Sequence, residues 1–222
     1  DVKMWRDVHR KSNIQKSIFS SIRALNGDLK RGNEENFDAV REIPGAYGLV
    51  VVDPTRADLS IRQIRRYAHG SAGTAVGVKT IQDLYNMKLD DAAYAPIWKE
   101  ALRLGLTVMA HKPGMAAAAR AFPKLRWVCA HMTLGRAEEL LKAKNVWLDL
   151  ATSHADAHET RLTELMRTAG SGRLLFASDA PLMDPAWTLG KIACAGLGPA
   201  VLTQIFYKNA LAAFPKLKRT TS

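Results

Sequence analysis

A chain of 222 residues with 47% hydrophobic composition can bury a sizeable core and is short enough that one domain, 1–222, is expected. Two cysteines, Cys129 and Cys194, are too few for a disulfide scaffold, and no apolar run reaches the roughly 18 uninterrupted residues of a helical membrane span. With a polar start over residues 1–10, the expectation is a soluble, cytoplasmic protein with no membrane partner. The 32 Lys and Arg against 21 Asp and Glu give a formal charge of +11, which raises affinity for polyanions in general. These cations are scattered along segments such as 61–66 and collect in the tail 216–219, without zinc-finger spacing or an RNA-binding aromatic motif. A solvated basic surface with no specific nucleic-acid partner is the reading.

In chain order, seven short apolar runs alternate with longer amphipathic segments. The runs are 14–20, 47–53, 75–80, 106–111, 125–131, 146–150 and 174–179. They lack the strict polar alternation of half-exposed antiparallel strands, so they read as parallel strands covered on both faces. Between them, 92–104 carries Ile97, Ala101 and Leu104 on one stripe, 137–142 follows Gly135, and 197–214 supplies one or two closing helices. Such connections suit right-handed βαβ crossovers.

Repeated βα units build either an open doubly wound sheet or a closed eight-stranded barrel. No Gly-rich phosphate loop follows an early strand. Instead Asp53, Lys79, His111, His131 and Asp179 each close an apolar run at its C-terminal end, the face on which barrel enzymes assemble their sites. A lone polar residue there is more often a turn former or helix cap; five in succession favour the barrel.

The segments Leu106-Thr-Val-Met-Ala-His111, Ala121-Phe-Pro-Lys-Leu-Arg-Trp-Val-Cys-Ala-His131 and Arg173-Leu-Leu-Phe-Ala-Ser-Asp-Ala-Pro181 resemble the fifth, sixth and eighth strands of the amidohydrolase-related family, which includes lactonases, other hydrolases and nonoxidative decarboxylases similar to aminocarboxymuconate semialdehyde decarboxylase. Gly27-Asp28 through Asn33, Val52-Asp53-Pro54, Gly77-Val78-Lys79 and Tyr207-Lys208-Asn209-Ala210 extend the likeness over nearly the whole chain.

The resemblance implies a (β/α)8 TIM barrel of the metal-dependent hydrolase type, with about seven of its eight strands visible. It also implies a divalent metal, zinc first, at the C-terminal mouth. His111 and Asp179 would be metal ligands, Asp179 doubling as proton shuttle, with His131 as acid, base or electrophile. Imidazole and carboxylate are suitable ligands, and an open position would lower the pKa of bound water to about 7. The family begins on a strand ending in a His-x-His pair, which this sequence lacks, and the expectation is that such a strand precedes Asp1 in the natural chain. His9, in a charged segment, is a poor substitute.

Lys79 is a candidate for a structural role or for binding a substrate carboxylate, either favoured over a carboxylated lysine bridging two metals. Trp187 is a candidate substrate wall, although packing is the ordinary use of a Trp. His154 and His158, spaced i and i+4, read as an exposed helix start in preference to a second metal site. The leading function is metal-dependent hydrolysis of an ester, lactone or amide bond in a small acidic substrate. The alternative is metal-dependent nonoxidative decarboxylation; the third is an inactive fragment or noncatalytic binding protein. The expected partners are a small-molecule substrate and, as an option, a second copy in a homodimer.

Overall fold

The computed structural model describes residues 2–69, 75–131, 137–151, 165 and 169–220. Seven strands form one parallel sheet in sequence order: β1 (Ser17–Phe19), β2 (Ala46–Val51), β3 (Ala75–Lys79), β4 (Thr107–Ala110), β5 (Trp127–Cys129), β6 (Val146–Asp149) and β7 (Leu174–Leu175). Every neighbouring pair is parallel, with β1 and β7 at the two edges. This is the TIM-barrel architecture expected from the apolar runs. Among the helices are α1 (Val2–Lys11), α2 (Ile22–Leu25), α3 (Leu29–Glu42), α4 (Ala57–Ala68), α5 (Ala95–Arg103), α6 (Met115–Ala121) and α7 (Ala137–Leu141). None is long and apolar enough to cross a membrane.

Alternation along the strands sorts side chains into two layers, because successive Cβ atoms point to opposite faces. Outward-facing Val50, Val52, Val78, Val108, Trp127 and Leu148 pack under helix residues such as Ile64, Ile97 and Trp98. Inward-facing Tyr47, Leu49, Val128 and Leu175 meet Phe214 and Leu217 from the C-terminal segment. Trp98 and Trp127 meet edge to face at 5.3 Å, both fully buried. Each large apolar side chain buried in this way contributes about 1.5–3 kcal/mol. Gly48 is required by its neighbour: a Cβ there would lie 2.3 Å from the ring of Phe37, which lies against the strand.

Two residues from the motif set are fold-builders. Asn33, on α3 and fully buried, donates from Nδ2 to the carbonyl of Val51 and accepts on Oδ1 from its N–H, at 3.0 and 2.9 Å. Its amide thus extends the ladder where β1 has ended. Asn209 donates from Nδ2 to the carbonyls of Ser171 and Leu174, tying the C-terminal helices to the entrance of β7. The Thr107 hydroxyl donates to the Ala213 carbonyl at 2.6 Å, so the C-terminal segment closes the barrel at the N-terminal ends of the strands and leaves the opposite end for chemistry.

Several expected boundaries shift for physical reasons. The run 174–179 yields only the pair Leu174–Leu175, because Phe176 N–H donates to Ile205 in the C-terminal helical segment. Segment 92–104 begins as a short 3-10 turn capped by Asp91, then becomes α5 with Pro96 in its first turn. His9 is a core histidine: it lies 92% buried on α1, stacked at 6.0 Å on Phe19. Burial lowers its pKa.

Candidate active site

Five polar side chains gather at the C-terminal ends of the strands. Lys79 is the last residue of β3, Asp149 the last of β6, and His111, His131 and Asp179 follow β4, β5 and β7. His111 and His131 meet edge to face with ring centroids 5.3 Å apart. His131 Nε2 lies 3.8 Å from Asp179 Oδ1. The histidines and the aspartate singled out from the sequence therefore form one cluster, built from separate crossover units.

Backbone conformation fixes two of them. His131 has φ 55° and Asp179 φ 59°, in the left-handed region that costs a non-glycine residue about 1 kcal/mol or more. The turns redirect both side chains from the ladder toward the mouth. A cis peptide bond joins Ala180 to Pro181 directly after Asp179.

His111 Nδ1 faces Asp83 Oδ2 at 3.2 Å. Burial, then the nearby Lys79 charge, lowers the pKa of His111, and the Asp83 contact opposes them only in part. A neutral imidazole whose Nδ1–H donates to a carboxylate leaves Nε2 unprotonated with its lone pair free, the arrangement found where histidine ligates a metal. The donor chemistry of His111 and Asp179 thus fits a divalent cation. Their number is smaller than a closed site needs: among the described residues no group of three His, Cys, Asp or Glu side chains converges to hold a metal.

Lys79 and Asp149 are the deeply buried members of the cluster, at 7% and 1% exposure. Burial lowers the Lys79 pKa, and Asp149 and Asp179 counter that only partly. Burial likewise raises the pKa of Asp149, against the opposing pull of His131, the Ala151 N–H and Lys79. One Asp149 oxygen accepts from Ala151 N at 2.7 Å, while Oδ2 has no hydrogen-bond partner among the described residues. Asp149 is absent from the sequence reading. It is followed by Leu150 within an apolar run and so does not announce a strand end, although its alternation with Trp147 places it on the inner face.

The other positions read from the sequence have surroundings of their own. Asp53 is occupied locally: Oδ1 accepts from the N–H and hydroxyl of Thr55, and Oδ2 pairs with Arg56 at 2.6 Å. Burial alone would raise its pKa, but Thr55 and Arg56 outweigh this and hold it below the usual carboxylate range. Trp187 stands 53% exposed on the helix Pro185–Ala193, which Asp184 caps through the Ala186 N–H. Cys129 is buried, with its thiol pKa pushed up to about 12, and Cys194 is exposed. His154 and His158 lie outside the described residues.

Similarity to solved structures follows the same architecture. A 5-carboxyvanillate decarboxylase from Novosphingobium aromaticivorans, complexed with manganese and 4-hydroxy-3-methoxy-5-nitrobenzoic acid, superposes with TM-score 0.77 at 16% identity, over 97% of this chain and 80% of the other. A 2,6-dihydroxybenzoate decarboxylase from Rhizobium gives 0.76 at 14% identity, over 95% and 87%. A 4-oxalomesaconate hydratase from Rhodopseudomonas palustris gives 0.77 at 16%, over 98% and 82%. At these identities the likeness is one of fold. Comparison with curated protein sequences finds no match. The family model described as amidohydrolase matches residues 33–216, most of the barrel together with Lys79, His111, His131, Asp149 and Asp179, and the chain belongs to that amidohydrolase family.

Proposed function

We propose that this chain is a metal-dependent nonoxidative decarboxylase acting on a small carboxylic acid. The observation that carries the reading is the Lys79 side chain, 7% exposed and without a hydrogen bond or ion pair among the described residues, placed near His111, Asp149 and Asp179. A buried unpaired cation is costly, and an anionic substrate would offset that cost. The two decarboxylases described above support this choice over hydrolysis, which the sequence alone placed first.

Lys79 would hold the substrate carboxylate in a site shielded from water. Loss of CO2 breaks the bond between the carboxyl carbon and its neighbour, whose electron pair stays on that neighbour. His131, in its protonated form, would deliver a proton to that atom, and solvent would restore it. Asp179, 3.8 Å from His131 Nε2, would orient the imidazole. His111 and Asp179 would hold the divalent cation, whose charge would stabilise the electron-rich carbon skeleton; manganese, present in the Novosphingobium relative, is as good a candidate as zinc.

The test is to incubate the protein with manganese or zinc and a panel of aromatic and unsaturated carboxylic acids, measuring CO2 release, beside lactone and ester substrates followed for hydrolysis. Release of CO2, lost in Lys79→Met, is the expected result. Lactone or ester turnover without CO2 release would overturn the reading.

A further inference from the structure

A concavity of about 740 Å3 opens at the N-terminal ends of β5 and β6, the end of the barrel away from His111, His131 and Asp179. Small-molecule sites occupy roughly 300–1,000 Å3, so an organic ligand fits it by size. Arg120 from the last turn of α6, Lys124 and Arg126 from the segment entering β5, and Lys144 from the segment entering β6 stand around it. Between them the wall is apolar, with Ala119, Pro123 and the half-buried Trp147.

None of the four cations has a hydrogen bond or ion pair through its side chain among the described residues, and no Asp or Glu lines the concavity. The chain treats other arginines differently: Arg23, Arg31, Arg65, Arg66 and Arg103 each meet a carboxylate. Like charges gathered around one concavity repel each other and raise the local concentration of anions. The walls are also braced. Asn145 spends its Nδ2 on the carbonyls of Ala119, Phe122 and Leu125, tying the start of β6 to the end of α6. Arg173 donates to the carbonyls of Leu141, Ala143, Lys144 and Val146 and holds the opposite rim. A site formed in advance loses less on binding than one that must be ordered by its ligand.

The side chains define the chemistry of the guest. Two guanidinium groups offer forked donors that match phosphate oxygens, and two ammonium groups act as point charges. Four cations exceed the need of a single carboxylate and suit a chain of two or three phosphates. The apolar wall with its indole suits a flat ring carried on that chain. We infer that this concavity is a second ligand site, which binds a nucleoside di- or triphosphate with its phosphates on Arg120, Lys124, Arg126 and Lys144 and its base against the apolar wall. The inference is independent of the reaction at the barrel mouth.

The experiment is equilibrium dialysis of the whole chain with ADP, ATP, pyrophosphate and adenosine. Chelator keeps metal from capturing phosphates at the mouth, and salt of about 150 mM screens exposed charge beyond roughly 8 Å. One ADP or ATP should bind per chain, about threefold or more tighter than pyrophosphate and about tenfold or more tighter than adenosine. The double substitution Arg120→Gln with Arg126→Gln should weaken ADP by about tenfold or more, since it removes both forked donors. A second double substitution, Arg62→Gln with Lys99→Gln, takes the same net charge from exposed positions on α4 and α5 and should change affinity by less than about twofold. Lys79→Met should leave ADP binding unchanged.

Equal losses in the two double variants would mean that net charge alone attracts the nucleotide, which overturns the inference. So does pyrophosphate binding as tightly as ADP, because the wall then recognises nothing; that comparison needs no variant. Loss of ADP binding in Lys79→Met would place the nucleotide at the barrel mouth. Displacement of ADP by an oligonucleotide that binds more tightly at the same salt would make this a nucleic-acid surface, and absence of saturable binding would leave four solvated cations. Each of these outcomes refutes the site.

Discussion

His131 and Asp179 face each other at 3.8 Å across the mouth of the barrel, and both occupy left-handed backbone, at φ 55° and 59°. An L side chain at such a φ is strained, whereas glycine is not. The two turns therefore hold strain at the positions assigned to chemistry.

Relief of that strain is measurable against alanine, which removes the same ring but keeps Cβ. His131→Gly should be more stable than His131→Ala by about 1 kcal/mol, the reverse of their order in a helix or strand. Both variants should lose activity. Denaturant melts of the two proteins check it, and an alanine variant as stable as the glycine variant would mean that the turn stores no strain.

Glu100 is the anchor of a second, purely structural electrostatic feature. Its side chain is 8% exposed and accepts from Arg103 and Arg65, whose guanidinium groups pull its pKa from 4.5 down to about 2 against the effect of burial. A group whose pKa is depressed by folding stabilises the fold fully above its unfolded value and loses that contribution as pH falls through the folded one. Stability should therefore decline between about pH 4.5 and pH 2. Because both arginines are more than half exposed and screened by solvent, the effect should be about 1–2 kcal/mol. Glu100→Gln should be destabilised by that amount at neutral pH and show a flatter acid limb.

The parts of this molecule written in the sequence are those where one residue had one use. Lys79, His111, His131 and Asp179 each end an apolar run, and a parallel barrel turns run ends into a common mouth. Asp53 carries the same signature, yet its carboxylate is taken by Thr55 and Arg56, a local contact that strand pattern does not encode. Asp149 failed in the opposite sense, because the following Leu150 hides the strand end. Asp83 lies in a 3-10 turn and reaches His111 only through the packing of successive crossover units. The choice between hydrolysis and decarboxylation was illegible for a chemical reason: both use the same donors, and the burial of Lys79 appears only once the barrel is folded.

The metal donors give a binding prediction independent of turnover. Manganese titrated into the protein, followed by electron paramagnetic resonance or calorimetry, should bind measurably, and His111→Ala should abolish that binding. Asp83→Asn, which keeps the contact to Nδ1 but removes its charge, should weaken affinity by about 10-fold or more, as expected for a group that orients a ligating imidazole. Unchanged manganese affinity in His111→Ala would remove His111 from the metal site.

The charge of +11 gives the last prediction. Much of the basic surface is already engaged: Arg23, Arg31, Arg65, Arg66 and Arg103 pair with carboxylates, and Arg173 donates to carbonyls of the loop after α7. Of the other cations, Arg120, Lys124, Arg126 and Lys144 line one open pocket beside Trp147, but the sequence carries no base-reading motif, so phosphate backbones should be held by charge alone. DNA and RNA of unrelated sequence should then bind equally and weakly. Affinity should fall about 10-fold or more as salt rises from roughly 50 to 200 mM, because each neutralised phosphate releases condensed counterions. Fluorescence anisotropy with two unrelated duplexes and one single strand checks this. A strong preference among them that persists at physiological salt would mean that the basic surface is an organised nucleic-acid site.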